Sequence, residues 1–207
     1  MLGFTDSRRQ CTRVSKKWKD FMCGRPTLWQ DPDFTTSKKL VPHHAIVSCI
    51  RRSRNQLRSV HLGRVAKPEE AIMALSKSCH RMHTLQIENG EYFPRWSSHL
   101  AVATRLTNVT FGDEISICMT QTTQLMTLCP MLKSFTARRV RQNMPMGTLE
   151  FGYHGLESLS LKAEPIQSHF GMVAPPLEVA SIPQNLQAAC PRLTYTGCLV
   201  DQLSRTP

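Results

Sequence analysis

The sequence predicts an α/β solenoid in which short strands stack as one parallel sheet and each strand returns through a helix or an irregular segment. A small helical unit precedes the stack. Three observations carry this expectation: an apolar motif that recurs along the chain, a nearly constant period, and a cysteine at a fixed offset ahead of three copies. The motif is an apolar residue, two polar ones, an apolar residue, one more, and a last apolar residue. It stands at Leu57/Val60/Leu62, Met82/Leu85/Ile87, Leu106/Val109/Phe111, Leu132/Phe135/Ala137 and Leu156/Leu159/Leu161, and more weakly at Leu193 with Tyr195 or Thr196. The steps between first positions are 25, 24, 26 and 24 residues, then 37. Cys79, Cys129 and Cys190 each lie three residues ahead of a first position.

Side chains alternate faces along a strand, so the last two apolar positions of each motif point to one side. One unit cannot cover its own apolar face; neighbours must stack, and their strands line up in parallel. The cysteine fits as a small apolar filler where the returning segment meets the sheet. Period and motif together resemble a leucine-rich repeat of the cysteine-containing type. That resemblance implies a ribonuclease-inhibitor-like solenoid with its parallel sheet on a concave side.

The first elements of the chain read differently. From Ser7 to Phe21 the pattern is that of an amphipathic helix, with Cys11, Val14, Trp18 and Phe21 or Met22 on one face and Arg8, Arg9, Arg13, Lys16, Lys17 and Lys19 around the rest. Gly24 and Pro26 end it. Leu28-Trp29 and Asp31-Pro32-Asp33-Phe34 follow. The run from Cys11 through Val14, Trp18 and Phe21 to Leu28-Trp29 and an Asp-x-Phe resembles the second half of an F-box. The resemblance implies binding to a Skp adaptor, membership of an SCF-type cullin ubiquitin ligase, and capture of a protein substrate by the repeats that follow. Val14, Trp18, Leu28 and Trp29 match the family's motif and are the expected adaptor-binding residues. The opening Leu-Pro pair and acidic, apolar helix of an F-box have no counterpart ahead of Cys11, so the expectation is an N-terminally truncated F-box with weakened adaptor binding. The order of features is most similar to fungal F-box proteins with leucine-rich repeats, including the type that carries tetratricopeptide repeats, although none of the latter is present here.

Beyond a polar connection at Thr35 to Lys39, Pro42 to Ser53 reads as a helix with Pro in its first turn, Ile46, Cys49 and Ile50 inward, and Arg51, Arg52 and Arg54 toward its C-terminal end. Pro68 to Ser78 is a second helix and Ile115 to Leu128 a third. The returns at Phe93 to Ala103 and Val140 to His154 contain Pro or Gly and read as irregular. Glu164 to Gln184 carries Pro165, Pro175, Pro176 and Pro183 and reads as a Pro-rich insertion. The organisation expected is therefore a partial F-box over residues 1–36, a linker helix capping the repeats over 37–54, and leucine-rich repeats over 55–207.

Charge is unevenly spread. Residues 1–60 hold thirteen Lys or Arg against four Asp or Glu, and the remainder thirteen against eleven. A basic segment of this kind suits nucleic acid or an acidic protein surface. No window approaches a membrane span and no secretory signal pattern opens the chain, so the expected setting is nucleus or cytoplasm, with reduced thiols in place of a disulfide framework. No phosphate loop, dinucleotide fingerprint or nucleophile elbow occurs. The groupings Cys79-His80 with His83, and His43-His44, fall short of a four-ligand zinc set. No enzyme activity, metal or cofactor is expected.

The residues between the inward apolar ones name the concave face in advance. They include His61, Gln86, Glu88, Thr110, Thr136, Arg138, Ser160 and Lys162, and the central column His61, Gln86, Thr110, Thr136, Ser160 is short and uncharged. Such a surface suits a protein partner read by hydrogen bonds; a phosphate backbone calls for Lys and Arg. The function expected is that of a substrate-recognition subunit of an SCF-type ligase. The alternative is a basic chromatin- or nucleic-acid-associated adaptor acting without a ligase.

Overall fold

A computed structural model describes residues 14–37, 39–89, 105–141, 155–163 and 190–195. Helix α1 (Lys16–Gly24) starts at Ser15, whose hydroxyl accepts the Trp18 N–H at 3.2 Å, and a 3-10 turn with Pro at its start follows (Pro26–Trp29). A two-residue strand β1 (Val41–Pro42) leads into α2 (His43–Arg52), which buries Ile46, Cys49 and Ile50 as the spacing predicts. The chain continues through β2 (Ser59–Leu62), β3 (Val65–Ala66), α3 (Pro68–Ser78), β4 (Thr84–Ile87), β5 (Asn108–Phe111), β6 (Ile117–Cys118), α4 (Met119–Leu128), β7 (Ser134–Arg141), β8 (Ser158–Ala163) and β9 (Thr194–Tyr195). Cys11 and the start of the first expected helix lie outside the described residues. So do residues 93–103, 142–154 and the Pro-rich insertion at 164–184.

The fold is α/β with a curled, all-parallel sheet. Its order is β2-β4-β5-β7-β8-β9, with β6 beside β7, and β1 pairs with β3 separately. The register joins Val60, Leu85, Val109, Phe135, Leu159 and Tyr195 in one row across the sheet, and Leu62, Ile87, Phe111, Ala137 and Leu161 in a second. These are the rows that the sequence period predicts. Both rows up to β8 are buried, and the leading row Leu57, Met82, Leu106, Leu132 and Leu156 is buried with them. Each Val, Leu, Ile, Phe or Met side chain among them contributes about 1.5–3 kcal/mol by leaving water. Small Ala137 stands in register with Phe111, which leaves room for Phe111 and Phe135 to meet edge to face with centroids 5.9 Å apart.

Successive turns are fastened by a repeated hydrogen-bond arrangement. One carbonyl just ahead of each strand accepts two consecutive N–H groups from the next turn. Arg58 O takes His83 and Thr84, His83 O takes Thr107 and Asn108, Thr107 O takes Lys133 and Ser134, and Lys133 O takes Glu157 and Ser158, all between 2.8 and 3.1 Å. The series begins earlier than the motif does, since Gln30 O accepts from both Arg58 and Ser59 at 2.9 and 3.3 Å. Asp33 then pairs in parallel with His61, and Trp29, Pro32 and Phe34 are buried while Asp31 and Asp33 are not. Residues 29–34 are thus a further turn of the sheet, with Trp29, Pro32 and Phe34 in the slots that Leu57, Val60 and Leu62 fill next.

The cysteine slot is equally regular. Cys79, Cys129 and Cys190 are all buried. The Cys79 and Cys129 N–H groups close the preceding helix on Leu75 O and Leu125 O, while their carbonyls accept from Met82 and Leu132. Ser53 takes this place at the end of α2, fully buried, its hydroxyl donating to Ile50 O at 2.8 Å. One extra residue separates Ser53 from Leu57, and Arg54 and Asn55 absorb it with left-handed φ of 53° and 60°.

Two expectations about helices need correction. The helix expected over Ile115 to Leu128 begins at Met119, because Ile117–Cys118 instead pair with Val140–Arg141 of β7. Gln121 then reaches back to the Cys118 N–H at 3.0 Å and caps the shortened helix. The helix expected over Ser7 to Phe21 is interrupted at Ser15, whose backbone is extended, and α1 runs on from Lys16 to Gly24, burying Met22 while Trp18 and Phe21 stay exposed.

Two outcomes follow from this packing. A Cβ at Gly63 would stand 2.6 Å from Phe34 O and 3.0 Å from the Thr35 Cα, so Gly63→Ala forces the first turn away from β2. A loss of about 1–3 kcal/mol in urea denaturation is expected. Burial pushes the Cys79 thiol up to about 12 and the Cys129 thiol up to about 11. The folded chain holds these protons more tightly than the unfolded one, whose thiols titrate near about 8.5. Their stabilising contribution is therefore complete below that pH and is lost as pH rises toward 11 and 12. At about pH 8, iodoacetamide should label neither thiol until denaturant is added.

Candidate interaction site on the open face of the sheet

The helices pack against the buried rows, which leaves the alternate residues of each strand on the other face of the sheet. The register sets His61, Gln86, Thr110, Thr136 and Ser160 side by side. Ser59, Thr84, Asn108, Ser134, Ser158 and Thr194 form a second row alongside. The two rows together present hydroxyls, amides and one imidazole. All five members of the first row are half-buried, and among the described residues no other segment forms a layer over them.

Several of these groups are already held in place. Ser59 Oγ and His61 Nε2 lie 3.1 Å apart. Asn108 Nδ2 donates to Thr107 Oγ1 at 3.1 Å, and Thr107 Oγ1 donates to His83 O at 3.1 Å. Gln86 Nε2 donates to Glu88 Oε1. Gly112 allows that Glu88 to lie flat, since a Cβ there would be 2.7 Å from Glu88 O. Among the described residues no group of three or more His, Cys, Asp or Glu is placed to hold a metal ion.

Of the expected face residues, His61, Gln86, Thr110, Thr136 and Ser160 lie on strands between buried neighbours, while Glu88, Arg138 and Lys162 each follow a buried residue. The sequence does not place Arg139. Strict alternation would turn Arg139 inward, but both Arg138 and Arg139 are exposed, between buried Ala137 and Val140. The register against β8 shifts between Ala137 and Val140, so two residues of β7 stand opposite Lys162 alone. A signal was present, because an arginine at an inward position is too costly to bury unpaired and the strand must slip there. Arg138 Nη1 reaches Asp113 Oδ2 at 3.1 Å, both side chains being largely exposed.

The four expected adaptor-binding residues separate. Trp18 and Phe21 are 50% and 44% exposed on α1, and Val14, ahead of that helix, is 71% exposed. Trp18 and Phe21 meet edge to face at 5.8 Å, and the Arg25 guanidinium lies 4.4 Å over the Phe21 ring. Leu28 is half-buried against the core. Trp29 is only 3% exposed, donates its indole N–H to Met22 O at 2.8 Å, and lies under the Arg52 guanidinium at 4.5 Å. It therefore packs the first turn of the sheet and ties α1 to it, and is not part of a surface.

The two tryptophans should respond differently to truncation. Trp29→Ala is expected to lose about 3–5 kcal/mol in urea denaturation. Trp18→Ala should change stability by no more than about 0.5 kcal/mol. No helix of the described residues is long and apolar enough to cross a membrane. No protein-family model matches the chain, and no curated protein matches it.

Proposed function

We propose that this chain is a non-catalytic substrate-recognition subunit of an SCF-type cullin ubiquitin ligase, built as a leucine-rich-repeat solenoid behind an F-box-like helical segment. The observation that carries the reading is the pairing of two unlike surfaces on one framework. Trp18 and Phe21 form an exposed apolar pair on α1, and Val14, ahead of the Ser15 cap, is exposed as well. The open face of the sheet is polar and largely uncharged along its centre. The apolar pair, with basic Lys16, Lys17 and Lys19 on the same helix, suits a partner surface that is apolar with acidic groups around it, the surface this reading asks of a Skp-type adaptor. The hydroxyl and amide rows suit a protein substrate recognised by hydrogen bonds.

The recurring apolar period, the buried cysteine slot and the parallel register support the repeat reading. The match of Val14, Trp18 and Leu28 to the F-box motif supports the adaptor reading, with Trp29 serving the core. The nuclear or cytoplasmic setting expected from sequence belongs to the same proposal.

The test uses purified chain and Skp adaptor. Val14→Asp combined with Trp18→Ala should weaken adaptor binding by about tenfold or more in calorimetry while leaving the far-ultraviolet circular dichroism unchanged. Binding that is unaffected by the pair, or no measurable binding by the parent chain, removes the ligase reading.

A further inference from the structure

The two ends of the parallel sheet differ in charge. At the end where strands begin, the shared carbonyls align Arg58, His83, Thr107, Lys133 and Glu157, each one residue ahead of its strand. Arg81 and Arg105 stand two residues earlier still. Each is three ahead of a member of the Thr84 and Asn108 pair, so the register sets them on neighbouring turns in a second line at the same margin. Arg58, Arg81, Arg105 and Lys133 are all exposed. Among the described residues the three arginines make no ion pair, while Lys133 meets Glu157 at 3.0 Å, where the positive run ends at β8. The opposite end of the sheet mixes signs, with Arg64 beyond β2, Glu88 beyond β4, and Asp113 and Glu114 beyond β5.

Neighbouring strands lie about 4.8 Å apart, so the steps from β2 through β4 and β5 to β7 carry this cationic margin over about 14 Å. One strand of a DNA duplex offers a phosphate per about 3.4 Å of axis, or about four over that length. The two lines hold no Phe, Tyr or Trp, and Met131, one turn beyond Arg105, is their one apolar side chain. A protein interface would call for an apolar centre, and unpaired bases for aromatic platforms. Contacts to a duplex are more polar and more positive than either.

We propose that the strand-start margin of the sheet binds the phosphate backbone of duplex DNA without reading its sequence. Arg81 and Arg105, on successive turns, each hold a phosphate in the planar fork of the guanidinium, and Arg58 and Lys133 extend the contact to either side. This surface is separate from the apolar pair on α1 and from the hydroxyl and amide rows, so it does not rest on the ligase reading.

The probe is a fluorescein-labelled duplex of about 20 base pairs and mixed sequence, titrated with the full chain across a salt series. R81E/R105E should weaken binding about tenfold or more while the far-ultraviolet circular dichroism stays unchanged. The milder R81Q/R105Q should lower the slope of log affinity against log salt by about 2, a readout that a merely structural defect would not move by that amount. R64E/K162E alters net charge as much as R81E/R105E but away from this margin, and should bind within about threefold of the parent. A parent chain that does not bind the duplex, a slope unchanged in R81Q/R105Q, or a loss in R64E/K162E equal to that in R81E/R105E overturns the proposal. Poly-L-glutamate bound as tightly and lost with the same substitutions overturns it in favour of an acidic protein. A single-stranded oligonucleotide bound more tightly than the duplex overturns it in favour of an unpaired strand.

Discussion

One carbonyl shared by two N–H groups is the fastening on which this structure depends. It recurs from Gln30 through Arg58, His83, Thr107 and Lys133, always at the point where a strand begins. A parallel strand has no hairpin to fix its register, and a slip of one residue would turn every apolar side chain toward water. Anchoring each strand at its first residue sets the register before the rows of Leu, Val, Ile and Phe meet. Packing then rewards the arrangement along three buried rows at once. Neither contribution is sufficient alone, because the carbonyl fixes position and the rows supply most of the free energy.

The same fastening explains why the two faces of the sheet can differ so widely in chemistry. With register held by backbone and by the buried rows, the outward residues are free of structural duty. They can be Thr, Ser, Asn, Gln or His without cost to the fold. The bulge at Arg138 and Arg139 is where this freedom meets its limit, since two consecutive arginines cannot alternate into a core that has no counter-charge. The strand yields by one residue and recovers its pairing at Val140 with Ala163. The exposed pair on α1 is a second exception. Its helix is tied down by Met22 and by the Trp29 indole on Met22 O, which secures the last turn and leaves Trp18 and Phe21 outside.

Much of the sheet was legible because burial on one face imposes a period that no other constraint would produce. Leu85, Val109 and Phe135 needed no structure to be placed side by side, nor did Gln86, Thr110 and Thr136. The cysteine slot was legible for the same reason at Cys79 and Cys129. It was hidden at Ser53, where a buried hydroxyl turned back on Ile50 O does the work of a thiol and an extra residue shifts the count. The first turn was hidden more deeply. Trp29, Pro32 and Phe34 stand in apolar slots, but neither Trp nor Pro belongs to a leucine pattern, and the same letters fit a helical motif. Hence Trp29 read as part of an F-box core and adaptor surface when it packs the first turn of the sheet. The late start of α4 escaped because Ile117–Cys118 are paired to a strand more than twenty residues on, a tertiary contact that overrides local helical preference.

The turn made by residues 29–34 also determines how the sheet stops. Its one bridge, Asp33 to His61, faces β2, and among the described residues no strand pairs with its outer side. That margin is short and carries Asp31 and Asp33 on either side of Pro32, with the Asp33 carboxylate turned onto the Thr35 N–H and hydroxyl at 2.8 and 2.7 Å. An incoming strand would find few donors in line, two negative charges and a rigid ring. Carboxylates and a proline at a sheet margin disfavour the pairing of a further strand, so the residues that obscure the repeat in the sequence are also the ones that make this margin a poor template.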